Sequence, residues 1–256
     1  MQSETPPVPP RHLGLEGTYN IRDIGGYRTT SGRSTRWRTL FRADSLHRLT
    51  PEGQAMLIAD GLQTVIDLRR PDEIEAAPNV FAASSTVRYH HISLSAEVPH
   101  APTGEPDSLV TIYRRILDER QAQVHAVFAV LAASDGMPAI VHCTAGKDRT
   151  GMIVALLLRL AEVPTTTVID DYVLTATYLG EPFMAETRQR ALKRGYTWEQ
   201  YYPLVTCLPT YMQVTLDYLD ATYGGAEAYL RHIGLSEAQL VHLHNALTTQ
   251  DPVPDQ

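Results

Sequence analysis

The sequence predicts an α/β fold: a mainly parallel central sheet flanked by helices, with a helical C-terminal part. Three observations carry this. Short β-branched runs alternate with helical segments through the first two-thirds of the chain. Residues 148–162 are apolar almost all round, which places that helix at the centre of the fold. After Pro164 the pattern reads as helical through Leu247, a cap or packed extension of the same domain.

The elements follow in order. Four prolines in the first ten residues make residues 1–14 a flexible, Pro-rich tail. Residues 15–248 read as one domain, and 249–256 as a C-terminal tail. Gly25-Gly26 marks a turn. Residues 38–46 (RTLFRADSL) hold a strand. Thr50-Pro51 opens a helix through Ala59, since proline suits the first helical position. Residues 63–69 (QTVIDLR) form a buried strand. Pro71 starts a short helix whose first-turn acids suit the helix dipole. Residues 87–94 (VRYHHISL) give another strand, and 96–105, rich in Pro, Gly and acid, a loop. Helices are expected at 107–119 and 122–133. Residues 138–143 (PAIVHC) form a short buried strand ending at Cys143. Ser236 with Gln239 is a capping-box signature for the last helix.

At 256 residues, 43% of them hydrophobic, the chain can bury a core without disulfide or metal staples. Its net charge of -7 argues against nucleic-acid binding, which needs many uncompensated cations. An anionic substrate is still compatible, because a local site can be positive on an acidic protein. Cys143 and Cys207 cannot build a disulfide framework, so a cytoplasmic setting is expected. The N-terminus lacks a basic region followed by an apolar one, although export without such a signal stays compatible. The longest apolar run, residues 152–158, is too short to insert stably in a bilayer. No CxxC or HExxH pattern calls for a metal, and no cofactor is expected.

The chemistry concentrates in residues 142–151, His-Cys-Thr-Ala-Gly-Lys-Asp-Arg-Thr-Gly. A cysteine at the carboxyl end of a sheet strand sits where α/β folds bind ligands. It also faces a helix N-terminus, whose free amides and dipole favour anions and a thiolate. Gly146 lets the loop curl so that successive amides point inward. Arg149 supplies a planar fork for two phosphate oxygens. Thr150 can donate a hydrogen bond to the thiolate. A Walker A reading of Gly146-Lys147 fails, because Val141 and Asp148 stand where Gly and Ser/Thr are required. A sulfurtransferase loop lacks the Arg-Thr ending, and a phosphate-binding pseudoenzyme predicts loss of the nucleophile or the arginine, both of which are present. Cys207, in VTCLPT, has no such loop and reads as inert.

The pattern Cys-x5-Arg-Thr, preceded by His142, resembles the cysteine-dependent phosphatases. The inner residues resemble the atypical bacterial tyrosine phosphatases, with echoes of phosphoinositide 3-phosphatase and myotubularin loops. Further segments fit the bacterial family: residues 20–26 (NIRDIGG), 41–44 (FRAD), 67–69 (DLR), Asp171-Tyr172, and the Tyr223-Gly224-Gly225…Tyr229-Leu230 stretch. The resemblance covers roughly residues 15–247. It implies hydrolysis of phosphotyrosine, often with phosphoserine/threonine and phosphoinositides, through a phosphocysteine intermediate.

The resemblance also assigns roles. Cys143 is the nucleophile and Arg149 the phosphate clamp. Thr144, Ala145, Gly146, Lys147 and Thr150 bind substrate, Lys147 as a second anion contact or else a solvated charge. His142, Arg22 and Asp23 stand behind the site. Two acids compete to protonate the leaving oxygen. Asp107 lies upstream, where ordinary tyrosine phosphatases carry their acid on a mobile loop. Asp148 lies within the loop, the choice implied by the bacterial family. Each also reads as a helix N-cap.

Overall fold

The computed structural model describes residues 9–95 and 109–249. Five strands form one sheet: β1 (Arg22–Asp23), β2 (Leu40–Ala43), β3 (Thr64–Asp67), β4 (Arg88–His91) and β5 (Ala139–His142), in the order β1-β2-β5-β3-β4. β2, β5, β3 and β4 run parallel, and β1 pairs antiparallel at the edge. The expected mainly parallel sheet is therefore present.

Alternation along each strand divides the core into two layers. Leu40, Ile66, Ala139 and Val141 face one side. Phe41, Val65 and Ile140 face the other, where Leu15, Ile21 and Leu57 of helix α1 (Pro51–Ala59) cover them. The first layer packs on α3 (Leu109–Glu119), α4 (Gln121–Leu131) and α5 (Asp148–Leu160). Nearly every residue of α5 after Arg149 is buried, as its all-round apolar sequence requires. The C-terminal third packs on this layer as α6 (Thr165–Lys193), α7 (Trp198–Val205), α8 (Pro209–Tyr223), α9 (Ala226–His232) and α10 (Glu237–Leu247). α6 bends at Gly180, whose φ of 57° and ψ of -171° no helix interior adopts. The expected capping box opens α10, with Ser236 accepting from the Gln239 amide.

One boundary differs from expectation. Residues 11–13 fall within the expected tail, yet they lie along β1: Leu13 N donates to Ile21 O and Asp23 N donates to Arg11 O. The open backbone edge of β1 recruits them, because an unpaired strand edge leaves amides and carbonyls open. The 96–105 loop and Asp107 lie outside the described residues. No helix among the described residues is long and apolar enough to cross a membrane.

Candidate active site

Ala43, Asp67 and His142 end β2, β3 and β5 in one register, so Cys143 emerges at the carboxyl edge of the sheet's centre. Residues 143–147 then turn into α5. Gly146 adopts φ +65°, and a Cβ there would meet the Ala43 carbonyl oxygen at 2.4 Å. Glycine is required at this point for both reasons.

The loop's carbonyls are drawn outward. Ser45 N donates to Thr144 O at 3.1 Å. Asn20 Nδ2 donates to Ala145 O at 2.9 Å, and Arg42 Nη2 to Gly146 O at 2.7 Å. In a planar trans peptide the N–H opposes the C=O. The amides of Ala145, Gly146 and Lys147 therefore turn inward, and those of Asp148, Arg149 and Thr150 continue them as the unpaired first turn of α5. None of these amides donates to a described residue. The result is a nest of donors at a helix N-terminus, suited to an anion.

A buried ion network holds this shape. Asp171 accepts from Arg22 Nε at 3.1 Å, from Tyr27 OH at 2.9 Å and from Arg42 Nη1. Arg22 in turn binds Asn20 Oδ1. Two arginines and one carboxylate thus brace the side chains that hold Ala145 and Gly146. Burial, then Arg42, pushes Arg22 down to about 10; burial opposes ionisation of Asp171, but Arg22 and Arg42 outweigh it and hold that carboxyl far below the usual range. Asp23, expected behind the site, accepts instead from Gly25 N at 2.8 Å and Arg38 N at 2.7 Å. It fixes the Gly25-Gly26 turn rather than the loop, since strand alternation points it away from Arg22.

His142 is fully buried behind Cys143. His142 Nε2 lies 2.7 Å from Asn79 Nδ2 and 3.4 Å from Asp67 Oδ2. Asp67 also binds Arg69 and Tyr89. Burial opposes its charge, yet His142 and Arg69 hold it far below the ordinary carboxylate range.

A cavity of about 400 Å³ opens above the loop, lined by Cys143, Thr144, Asp148 and Arg149, with Tyr19 and Phe183 among its walls. Glu73 of α2 (Pro71–Ala76) accepts from Arg149 Nη1 at 2.7 Å and Nη2 at 3.1 Å, and from Thr144 Oγ1 at 2.5 Å. Burial alone would raise Glu73, but the Arg149 contact brings it down to about 2. Burial likewise works against Arg149, and the negative charge available at Cys143 and Glu73 keeps it firmly cationic.

Lys147 lines the cavity, but its ammonium is buried and donates to Leu204 O at 2.7 Å and Thr206 O at 2.9 Å. It is not a solvated charge: the last carbonyls of α7 lack helical partners and attract it, and the anion it faces is the Asp148 carboxylate, 3.3 Å away. Thr150 Oγ1 is buried without a hydrogen-bond partner, so the expected bond to Cys143 is not formed in this structure. Burial pushes the Cys207 thiol up to about 11.

Sequence reasoning missed two contributors. Glu73 read only as a first-turn acid on its helix. Tyr113 was not singled out within the helix expected at 107–119, yet its hydroxyl donates to Asp148 Oδ1. No spacing rule links positions 73 or 113 to the loop. Asn20, Arg42 and Asp171, by contrast, lie in the segments that carry the resemblance.

Residues 13–249 match the tyrosine phosphatase family. A tyrosine-protein phosphatase of Nostoc commune is 34% identical over 221 residues, covering 79% of this chain and 71% of that protein. The triple specificity protein phosphatase PtpB of Mycobacterium tuberculosis is 26% identical over 278 residues, covering 91% of this chain and 98% of that one. The core catalytic domain of the yeast PP-IP phosphatase SIW14 aligns with a TM-score of 0.38 and 14% identity, covering 69% of this chain and 93% of that one. With its loop, sheet edge and family match in agreement over nearly the whole described length, the chain belongs to the tyrosine phosphatase family.

Proposed function

We propose that this protein hydrolyses phosphate monoesters on tyrosine through a phosphocysteine intermediate. One observation carries the reading: inward amides, the Arg149 guanidinium, Cys143 and Asp148 all meet at one cavity. Cys143 attacks phosphorus as the thiolate, forming the S–P bond as the ester P–O bond breaks. The amides and Arg149 hold the non-bridging oxygens, which carry the charge of the transition state. Asp148 gives its proton to the departing phenol oxygen. It then takes a proton from the water that attacks phosphorus, and cleavage of the S–P bond releases phosphate and restores the thiolate. Thr150 turns its unpartnered hydroxyl to the sulfur when charge resides there.

Phosphoserine/threonine and phosphoinositide monoesters are a second reading for the same chemistry. The similarity to PtpB, named for triple specificity, supports it. The test is phosphate release by purified enzyme in EDTA, with phosphotyrosine, phosphoserine and phosphothreonine peptides and phosphoinositide vesicles side by side. Turnover of phosphotyrosine peptide that Cys143→Ser abolishes is expected. Undiminished turnover in that variant would overturn the mechanism. A vesicle rate well above the best peptide rate would make the lipid the preferred substrate.

A further inference from the structure

The geometry points to Tyr113 as a positioning residue that holds one oxygen of Asp148 and leaves the other to carry the proton. This rests on the reading of Asp148 as the acid. Tyr113 is wholly buried on α3 and does not line the cavity, so it cannot touch substrate. Its hydroxyl donates to Asp148 Oδ1, and the Tyr172 hydroxyl of α6 lies 2.9 Å behind it. Lys147 Nζ lies 3.3 Å from the same oxygen. Asp148 Oδ2 accepts from no described residue.

Tyr113 donates to Oδ1 and the Lys147 charge stands beside the same oxygen, so the acid form carries its proton on Oδ2. That Oδ2–H bond breaks as the new O–H bond forms on the leaving oxygen. Oδ2 later takes the proton back from water. Tyr113 remains a donor throughout: burial first, and then the Asp148 charge, raise its hydroxyl well above the ordinary range. The other groups facing Asp148 are Arg149 beside it, and Cys207 in the segment after α7. Neither is changed by a substitution at position 113.

Tyr113→Phe removes only the hydroxyl. Losing a donor to the charged carboxylate favours its protonated form. The basic limb of the kcat/KM profile should move up by about one pH unit. Without its anchor the acid is misplaced, so kcat/KM on an alkyl phosphate should fall about tenfold while a nitrophenyl phosphate, which needs little protonation, stays within about twofold. Tyr172→Phe keeps the Tyr113 contact and should move both readouts in the same direction by less. If Tyr113→Phe fails to fold, as judged by circular dichroism, Tyr172→Phe carries the test by itself.

Asp148→Asn is the control. Combined with it, Tyr113→Phe should add no further discrimination between leaving groups. Equal losses on both substrates with an unmoved limb would mean a merely structural tyrosine and overturn the inference. If Asp148→Asn shifts the leaving-group dependence and Tyr113→Phe does not, the positioning role alone fails. If Asp148→Asn shifts nothing, the acid assignment fails and takes the positioning role with it.

Discussion

Glu73 grips Arg149 at both terminal nitrogens, 2.7 and 3.1 Å away, while the Thr144 hydroxyl reaches the same carboxylate. One side chain from α2 therefore ties the start of the phosphate loop to its end. Glu73→Gln keeps the shape but loses the charge-assisted pair. We expect kcat/KM on a phosphotyrosine peptide to drop by about tenfold, and by more in Glu73→Ala, where nothing orients the guanidinium.

The same pair makes stability depend on acid. Glu73 is depressed to about 2 in the folded chain. A depressed carboxyl contributes stability that is complete above its unfolded value, about 4.3, and is lost as pH falls towards 2. Thermal unfolding between pH 5 and pH 2 should therefore fall less steeply in Glu73→Gln than in the parent. Parallel curves would show that this contact does not contribute.

Arg149→Lys retains the charge and loses the fork. Glu73 would still hold an ammonium, but only one direction of it would remain for the phosphoryl oxygens. A loss of the order of 10²-fold in kcat/KM is expected, as for removal of a preorganised oxyanion donor. Retention within about threefold would contradict the clamp.

Asp171→Asn leaves two buried guanidiniums, those of Arg22 and Arg42, without their shared counter-charge. Stability should fall by about 3–5 kcal/mol, read from urea unfolding. Because Arg42 also holds Gly146 O, the folded variant should lose phosphate affinity as well.

The two thiols should separate under alkylation. Cys207 is buried and its thiol pushed up to about 11, so iodoacetamide at neutral pH should not reach it. Cys143 lines the cavity and should be the labelled site in a peptide map, with inorganic phosphate protecting it. Cys207→Ser should keep full activity.

Much of this molecule was legible in the primary structure because local rules wrote it. The Thr50-Pro51 start, the all-round apolar α5 and the Ser236–Gln239 box each depend on neighbours within one turn. The loop from Cys143 to Arg149 was legible for a similar reason: strand, glycine and helix start all agree within ten residues. Glu73 and Tyr113 were not legible. Each reaches the site across the tertiary fold, 76 residues from Arg149 and 35 from Asp148 in sequence. Lys147 was half legible: its charge was plain, but the helix end that captures it lies nearly sixty residues on.

The Lys147 ammonium bound to Leu204 O and Thr206 O, with Arg22 bound to Asp171 across 149 positions, has a consequence for how the enzyme comes into being. The cradle's bracing is almost wholly non-local, and closing such long loops is slow and occurs late. A chain emerging from the ribosome carries its complete Cys-to-Arg signature long before residue 206 is made. Until then the loop lacks both the lysine's partners and a packed α7. Activity should thus appear abruptly in nascent chains released beyond that length, not gradually after Arg149, and refolding should recover secondary structure well before it recovers turnover.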